Sequence, residues 1–568
     1  MKKSLTGFFV CSALFAFGQS QSIEFANPLN IPINASGNFG ELRGSHFHSG
    51  LDIKTQQRIG LPVYAPADGY VSRIKVSTWG YGKALYIDHP NGMTTVYGHL
   101  NGYEGAIAKR VFDTHYKQRI FEIEIFPKRN EIPVKKGDII AYTGNTGGSG
   151  GPHLHYEFRD TKTQAIINPL SKGMKEMLID TEAPTVNAVY AYPISAEATI
   201  NKNISPVQLA YKMRNGVLVA DPITAKGKIS FGIDMHDTAN NNSNKNGVYK
   251  VETFINGTPS FSYQFDTFTF SETGFVNALV DYGRVKRTKA KVQKMFVEIP
   301  YPLSVLKVDK GNQGILTVKP GESYTYKIVA SDYHGNQTTI EIPVTYADDF
   351  VARVDSMDVT EGDRYDLVST KEFIFEKDFA SVSIPANTFY QDFTFIFNAK
   401  DKVVTLHKDV VAGFKNMTLT VDMSNFGLTD AELEKAYLAQ LGANGSKSYV
   451  KTHKKGKLFT IYTKKLGNYS YGIDTTPPKI YQPSFKEGDW LSNADSISFL
   501  IQDIDTGINT IEGSINGKWM LLDYDYKTKK IVHLFRDGVV TSGRNDVVIK
   551  VTDNMNNEAT YTTHFFRK

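Results

Sequence analysis

Alternating apolar and polar residues, the pattern of half-buried β-strands, recur along this chain and are separated by turn-forming Gly, Pro and Asn residues. The run Ala380–Ile384 is one example. Before residue 180 one segment departs from the pattern, because residues 105–117 are compatible with a short helix and residues 121–125 with a strand after it. The alternation therefore predicts a mainly β protein.

Two matching phrases divide the second part of the chain. Asp-Thr-Glu-Ala-Pro at 180–184 and Asp-Thr-Thr-Pro-Pro at 474–478 each place proline after a polar turn, which stops one element and starts another. Each phrase opens a unit in which an Asn-Gly pair predicts a tight hairpin. We expect a divergent internal repeat of an immunoglobulin-like β-sandwich, with copies at 179–348 and 474–568. The first copy is lengthened by an insertion around 264–295.

The segment between the copies, residues 349–473, has a different pattern. It is rich in predicted strands and contains one predicted helix, which a capping box at Thr429 begins and Gly442 ends, with Leu438 on its apolar side. No catalytic cluster is recognisable there or elsewhere in residues 180–568, so we expect these domains to position the rest of the protein and to do no chemistry. The ligand of these domains, a surface or wall component, is left open.

The first residues have the form of a secretory signal. A charged start precedes the apolar residues 5–17, which are fewer than a transmembrane helix needs. A small-x-small cleavage site follows them, so residues 1–18 are predicted to be a signal peptide. Export to the periplasm, cell envelope or medium is expected. The only cysteine, Cys11, lies in this stretch, and no disulfide can then brace the mature chain. The formal charge of +5 over 568 residues does not mark a nucleic-acid binder.

Candidate chemistry concentrates in two short histidine-bearing pieces. His48 and Asp52 flank a glycine near the start of the mature chain, whereas His153 and His155 lie one residue apart in a predicted strand and so leave the same face. His99 ends another predicted strand. Neutral imidazoles and one carboxylate suit a catalytic zinc ion that keeps a fourth position free for water. These five residues are the candidate site.

Turn-forming glycines and candidate catalytic or metal-binding residues follow one another in a specific order between about residues 30 and 160. The order is His48-x-Gly50-x-Asp52, Gly60-x-Pro62-Val63-x-Ala65, Asp68-Gly69-Tyr70-Val71, Gly80-Tyr81-Gly82, Tyr86-Ile87-Asp88-His89, Tyr97-x-His99-Leu100, Lys136-Gly137-Asp138, Gly144-x-Thr146-Gly147 and Gly151-Pro152-His153-Leu154-His155-x-Glu157. This segment resembles the lysostaphin-type (LytM-like) zinc metallopeptidases. The resemblance implies an antiparallel-sheet peptidase domain, which we bound at 19–178.

By that resemblance His48, Asp52 and His155 hold one catalytic zinc ion, and His99 and His153 are the catalytic pair. Which of the pair is the base is not fixed by sequence, and Glu157 is either a partner of an imidazole or a plain strand carboxylate. The chain is thus predicted to be a zinc metalloendopeptidase that hydrolyses peptide stems or cross-links of peptidoglycan. The alternatives are a non-catalytic activator or scaffold of other wall hydrolases, and a zinc peptidase acting on exported proteins.

Extra sequence at 102–131 separates the His99 strand from Lys136-Gly137-Asp138. In the resembled family this neighbourhood borders the substrate groove. The insertion is therefore expected to shape specificity or to cover the site, with a plain surface elaboration as the equal alternative.

Overall fold

The computed structural model describes residues 23–240, 242–308, 311–349 and 361–568. The predicted signal peptide at 1–18, with Cys11, lies outside these residues. Strands account for 46% and helices for 8% of the structure, and the pairing is overwhelmingly antiparallel, which confirms the mainly β prediction. Among the described residues, no helix combines the length and the apolar character that crossing a membrane requires.

The first body of the structure is built around one large antiparallel sheet. Its strands are β1 (Ala35–Gly37), β2 (Leu51–Lys54), β3 (Pro62–Tyr64), β4 (Gly69–Val76), β5 (Lys83–Asp88), β6 (Met93–Leu100), β7 (Gly102–Tyr103), β8 (Ile123–Ile125), β9 (Pro133–Val134), β10 (Ile139–Tyr142), β11 (His153–Asp160) and β12 (Ile166–Ile167). The main sheet has the order β1-β2-β11-β6-β5-β4-β8, and β3, β10 and β7 form a smaller sheet. Short 3-10 helices follow at Pro169–Lys172 and Lys175–Met177.

Strand β11, near the middle of this sheet, separates the core from the candidate site. Its residues Leu154, Tyr156 and Phe158 are fully buried in the hydrophobic core. Because successive side chains of a strand point to opposite faces, His153 and His155 lie on the other face. The alternation of the sequence therefore places His153 and His155 on one face, and core packing on the other face fixes the strand that carries them.

The insertion after His99 has the predicted elements. Helix α1 spans Gly105–Gln118, and β8 pairs with β4. Ile107, Val111 and His115 are buried at helical spacing, which packs one side of α1 onto the sheet. The helix ends at Arg119, which adopts the left-handed conformation.

A second body follows and packs against the first. Its strands are β13 (Thr185–Pro193), β14 (Thr199–Ile200), β15 (Val207–Leu209), β16 (Tyr211–Arg214), β17 (Val217–Ala220), β18 (Ile223–His236), β19 (Lys250–Ile255), β20 (Thr258–Gln264), β21 (Thr267–Phe268), β22 (Gln293–Lys294), β23 (Leu306–Val308), β24 (Leu316–Val318), β25 (Ser323–Ser331) and β26 (Gln337–Tyr346). The insertion between β21 and β22 contains the 3-10 helix Phe270–Phe275, α2 (Val276–Leu279) and α3 (Tyr282–Thr288). Strand β21 pairs with β12 of the first body, so one sheet crosses the boundary between them.

The third body consists of two antiparallel sheets around a common core. Its strands are β27 (Asp363–Leu367), β28 (Phe373–Lys377), β29 (Ala380–Ile384), β30 (Phe393–Lys400), β31 (Val403–Leu406), β32 (Met417–Asp422), β33 (Ala436–Leu441), β34 (Lys447–Tyr449), β35 (His453–Lys455), β36 (Leu458–Thr463) and β37 (Gly467–Ile473). The sheet orders are β27-β30-β31-β37-β33-β34 and β28-β29-β32-β36-β35.

The helix predicted in this body begins where expected but is much shorter. Thr429 and Glu432 form the predicted capping box, and helix α4 then spans only Asp430–Lys435. Leu438, predicted on its apolar side, lies instead on β33 opposite Tyr471 of β37. The prediction of the helix end was wrong because pairing β33 into a buried sheet position outweighs the local helical preference.

The fourth body is a sandwich of two four-stranded sheets with one shared core. Its strands are β38 (Lys479–Tyr481), β39 (Ser496–Gln502), β40 (Ile508–Ile515), β41 (Lys518–Trp519), β42 (Asp523–Asp525), β43 (Lys530–Leu534), β44 (Gly543–Asp553) and β45 (Glu558–Arg567). The sheet orders are β38-β39-β43-β42 and β41-β40-β44-β45.

Matching contacts in the second and fourth bodies support the proposed internal repeat. The Asn336 side chain donates a hydrogen bond to the carbonyl of Asp180, in the first boundary phrase, at 3.2 Å. Asn557 donates in the same way to the carbonyl of Asp474, in the second phrase, at 2.8 Å. Each Asn also donates to the carboxylate four residues before it. The two phrases thus join the closing loop of each unit to its start.

Strand β44 offers a matched test of the sandwich core. Ile549 is fully buried between the sheets, whereas its neighbour Val548 faces outward and is 38% exposed. We expect Ile549→Ala to lower the free energy of unfolding by about 2–5 kcal/mol, because it leaves a cavity. Val548→Ala should change it by less than about 1 kcal/mol. Urea unfolding followed by tryptophan fluorescence measures both, since Trp490 and Trp519 lie in this body; equal losses for the two variants would contradict the assignment of the core face.

Candidate metal centre

Three predicted site residues converge on one point. His155 and Asp52 lie opposite each other on β11 and β2, and the His155 Nδ1 atom is 2.8 Å from the Asp52 Oδ1 atom. The Nε2 atom of His48, on the loop before β2, lies 3.0 Å from the same Oδ1 atom and 3.1 Å from His155 Nδ1. All three side chains are buried. Two ring nitrogens and a carboxylate oxygen therefore face one another among buried side chains.

The outer nitrogens of both rings fix their protonation. His48 Nδ1 lies 2.8 Å from the backbone carbonyl of Asn38, which can only accept, so Nδ1 carries the proton. His155 Nε2 likewise donates to the Glu157 carboxylate at 2.8 Å. In the neutral rings His48 Nε2 and His155 Nδ1 are left as bare lone pairs that point at the Asp52 carboxylate. Such a cluster could hold a metal ion.

The dimensions of the cluster suit a small tetrahedral ion. Zinc binds nitrogen and oxygen at about 2.0–2.2 Å, so tetrahedral ligand atoms lie about 3.3 Å apart. The separations of 2.8 to 3.1 Å are a few tenths of an ångström shorter. The donor atoms, their burial and their protonation therefore fit zinc.

The charges of the cluster are set by its neighbours. Burial alone would raise the pKa of the Asp52 carboxyl, but the charge of His48 and hydrogen bonds with the surrounding imidazoles hold it well below its usual range. Burial alone would lower the pKa of His155, but hydrogen bonds with Asp52 and Glu157 raise it to about 9. Without a metal ion a proton thus sits among these groups, and a bound cation would take its place.

Further side chains surround the cluster, and of these the sequence analysis gave a possible role only to Glu157. Glu157 is fully buried and also accepts hydrogen bonds from Ser49 Oγ at 2.6 Å and from the Tyr81 hydroxyl. Arg159, two residues along β11, donates to Glu157 Oε2 at 2.8 Å. Glu157 is therefore a partner of an imidazole and not a plain strand carboxylate. The placement of Tyr81 between two glycines of the motif was the available signal.

Two glycines leave room for the ligand side chains. A Cβ atom on Gly50 would lie 2.5 Å from the carbonyl oxygen of Tyr156 and 3.1 Å from His155 Cε1. A Cβ atom on Gly98, opposite His155 on β6, would lie 3.3 Å from the His155 Cβ atom. The glycine between His48 and Asp52 is explained by this close approach to β11 and not by a special backbone angle.

His99 reaches the cluster through a β-bulge. The pairing of β6 with β5 shifts by one residue between Tyr97 and Leu100, and His99 has a φ of 59°. Regular alternation would put His99 on the core face with Tyr97, whereas the bulge turns it toward the site. Its Nδ1–H donates to the carbonyl of Thr146 at 2.8 Å, so Nε2 is the free nitrogen. Burial, together with the nearby His155 and His153, lowers the pKa of His99 to about 3, so the ring is neutral.

His153 is the fifth member of the group. Its Nδ1–H donates to the carbonyl of Gly151 at 2.8 Å, and the Ser149 hydroxyl lies 3.1 Å from the same nitrogen. Its Nε2 atom lies 3.4 Å from Asp52 Oδ1, and its ring centroid is 4.7 Å from that of His99. The structure thus brings all five predicted residues together, and of the two rings outside the cluster, His99 leaves Nε2 free while His153 turns Nε2 toward Asp52.

The loop that carries His48 is held by the second body. The Asn38 side chain exchanges two hydrogen bonds with the backbone of Gly247, at 2.7 and 2.9 Å, while its own carbonyl accepts from His48. Phe47 is fully buried against Phe265 and Phe268 of the second body. The position of His48 therefore depends on contacts with residues more than two hundred positions away in sequence.

Comparison with known proteins assigns families to two segments. Residues 46–169 match the model of Peptidase family M23, and this segment contains all five site residues. Residues 364–474 match the model of a Zu5-like domain, which covers most of the third body.

Similar proteins share this segment but little else. The DD-carboxypeptidase/endopeptidase Mpg of Neisseria meningitidis is 36% identical over 127 residues, which are 22% of this chain and 23% of that protein. The peptidoglycan DD-endopeptidase ShyC of Vibrio cholerae is 32% identical over 165 residues, 29% of this chain and 30% of that protein. The catalytic domain of the M23 protein EnpA of Enterococcus faecalis is 25% identical, with 26% of this chain and 95% of that domain covered and a TM-score of 0.19. The matched residues thus span less than a third of the length of the Neisseria and Vibrio proteins.

The close approach at Gly50 gives a testable requirement. We expect Gly50→Ala to lower zinc affinity at least about tenfold, because the added methyl group displaces the strand that orients His155. Gly44→Ala is the matched control, since a Cβ atom there meets nothing within 4 Å. Competition with a chromogenic chelator measures both, and equal affinities for the two variants would refute the packing argument.

Proposed function

Because residues 46–169 match the model of Peptidase family M23, we propose that this protein is a zinc-dependent endopeptidase that cuts the peptide part of peptidoglycan. The observation that carries the proposal is the meeting of two imidazole nitrogens with one carboxylate oxygen. His48, Asp52 and His155 would hold the ion. Intact ligands of this kind also favour an enzyme over a scaffold, which has no need of them.

Zinc held there would supply Lewis-acid chemistry, which acidifies a water molecule and polarises a peptide carbonyl. The chain's own contribution begins with orientation. Asn38 and Glu157 accept the outer N–H groups of His48 and His155, so the lone pairs stay aimed at the ion position. The three side chains are themselves buried, which limits the access of bulk water to this position.

His99 and His153 are proposed to handle the proton and the developing charge. Each donates its Nδ1–H to a backbone carbonyl, which leaves Nε2 able to accept a proton. The neutral ring of His99 is poised as an acceptor, and either ring, once protonated, can donate to the leaving amine or stabilise an oxyanion. The geometry gives both rings the same hydrogen-bonding role, so the base is assigned to the pair.

The proposed substrate and location follow the relatives. ShyC is named as a peptidoglycan DD-endopeptidase, and the proposed substrate here is the peptide stem or cross-link of the same polymer. Peptidoglycan lies outside the cytoplasmic membrane, so the proposal places the protein in the cell envelope or beyond it, in keeping with the signal peptide expected at residues 1–18.

Metal content and turnover should separate the roles of the site residues. Asp52→Ala should abolish stoichiometric zinc, because it removes one of three protein ligands. His99→Ala should keep one zinc ion per chain and lose about a hundredfold or more in kcat, because it removes an acid-base group. Metal analysis and peptide hydrolysis measure the two effects, with exposed His453→Ala as a control that changes neither. Full zinc in Asp52→Ala would overturn the ligand assignment.

The substrate class is tested with the purified full-length protein. Zinc-loaded protein should release soluble fragments with new peptide ends from purified peptidoglycan, and a chelator should stop the release. Unfolded casein should be cut far more slowly. Faster cleavage of casein would instead identify a peptidase of exported proteins, and zinc binding with no cleavage of either substrate would identify a scaffold.

A further inference from the structure

The fourth body contacts the turn and the loop that border the candidate site. Asp523 forms an ion pair with Lys83, at the start of β5, and the ring of Tyr526 contacts Trp79 with centroids 3.7 Å apart. These contacts join the hairpin 523–530, which connects β42 and β43, to the turn between β4 and β5. The hairpin thus contacts the edge of the M23 domain at residues that precede it by more than four hundred positions in sequence.

The insertion at 102–131 supports the same contact. Tyr116 of α1 donates a hydrogen bond to Asp537 of the fourth body, and its ring packs against Trp519 with centroids 5.1 Å apart. The helix is thus a docking surface for the sandwich. The sequence analysis allowed the insertion to cover the site, but a helix packed in this way does not agree with a free-standing lid.

The loop at 144–151, next to the hairpin, orients both catalytic candidates. The carbonyl of Thr146 accepts the Nδ1–H of His99, and Ser149 lies beside Nδ1 of His153. Five of the eight residues of this loop are glycine, a composition that leaves the backbone many accessible conformations. Gly148 N–H donates to the carbonyl of Gly80 at 2.7 Å, which ties the loop to the turn that Tyr526 contacts. The positions of His99 and His153 therefore depend on a glycine-rich loop, which the Thr146 hydroxyl also ties to β5 and β6 through Lys83 and Leu100.

Lys527 of the hairpin binds this loop at two points. Its ammonium group donates to the carbonyls of Asn145 and Ser149, the latter at 3.2 Å. The two acceptors lie one residue before Thr146 and at Ser149, so a single cation spans the part of the loop that contacts the two imidazoles. Ammonium-to-carbonyl hydrogen bonds are stronger than neutral ones, which makes this a firm attachment.

We propose that the fourth body completes the active site, with Lys527 as a positioning residue that fixes the glycine-rich loop 144–151 and through it His99 and His153. This inference rests on the proposed peptidase function. It replaces the expectation that residues 180–568 only place the enzyme. The hairpin contacts the loop and the neighbouring turn from outside, and among the described hydrogen bonds and ion pairs none joins residues 523–530 to the five site residues.

The test uses the full-length zinc-loaded protein with Lys527→Met, which keeps the length of the side chain and removes its donor. Soluble cross-linked peptide dimers released from peptidoglycan are the substrate. We expect kcat to fall at least about tenfold with little change in KM, because the pair is misplaced while the substrate still binds. Zinc affinity should stay within about twofold of wild type, because the ligands His48, Asp52 and His155 lie outside the loop. Lys527→Arg should restore most of the activity, and Lys530→Met, on an exposed residue of the same hairpin, should behave as wild type.

Hydrogen exchange supplies a measurement that does not depend on activity. The amides of residues 144–151 should exchange at least about tenfold faster in Lys527→Met than in Lys530→Met, because local opening becomes easier. Unchanged exchange and unchanged kcat would overturn the proposal. A rise in kcat would overturn it too, by showing that the sandwich restrains the enzyme. If the wild type cuts no peptide, the proposed function fails, while loop exchange still decides whether Lys527 holds the loop.

Discussion

The structure of the site follows from one electrostatic constraint. Two imidazole lone pairs and a carboxylate oxygen lie within about 3 Å of one another in a buried space, an arrangement that only a cation or a shared proton can stabilise. The surrounding residues enforce that arrangement. Asn38 and Glu157 take the outer protons of the rings, Arg43 holds the second oxygen of Asp52 at 2.9 Å, and Gly50 lets the loop approach β11.

Regular strand pairing positions some of the site residues, and an irregularity in the pairing positions another. Strand β11 is held on one face by the core and on both edges by β2 and β6, so His155 and Asp52 are positioned by regular pairing. His99 instead needs a bulge and a left-handed backbone conformation, which is uncommon for a residue with a side chain. The cost of that conformation is offset by packing on both sides and by the hydrogen bond to Thr146. The irregular element thus occurs where a side chain must leave the face that alternation assigns to it.

Remote parts of the chain stabilise the loops that regular pairing does not reach. The His48 loop is joined to the second body through Gly247 and the phenylalanine cluster, and the loop at 144–151 is joined to the fourth body through Lys527. The M23 segment supplies the chemical groups, but the neighbouring β bodies hold two of its loops.

Sequence alone predicted the mainly β class, the five residues that the structure brings together, the helix in the insertion and the face that His153 and His155 share. These features depend on local periodicity and on motifs whose spacing is short. The end of the helix after Thr429 and the roles of Tyr81, Asn38 and Lys527 were decided only by the tertiary structure. A strand pairing such as β33 with β37, or a hydrogen bond between Lys527 and Asn145, joins residues distant in sequence, and the burial that makes such contacts favourable exists only once the bodies have packed.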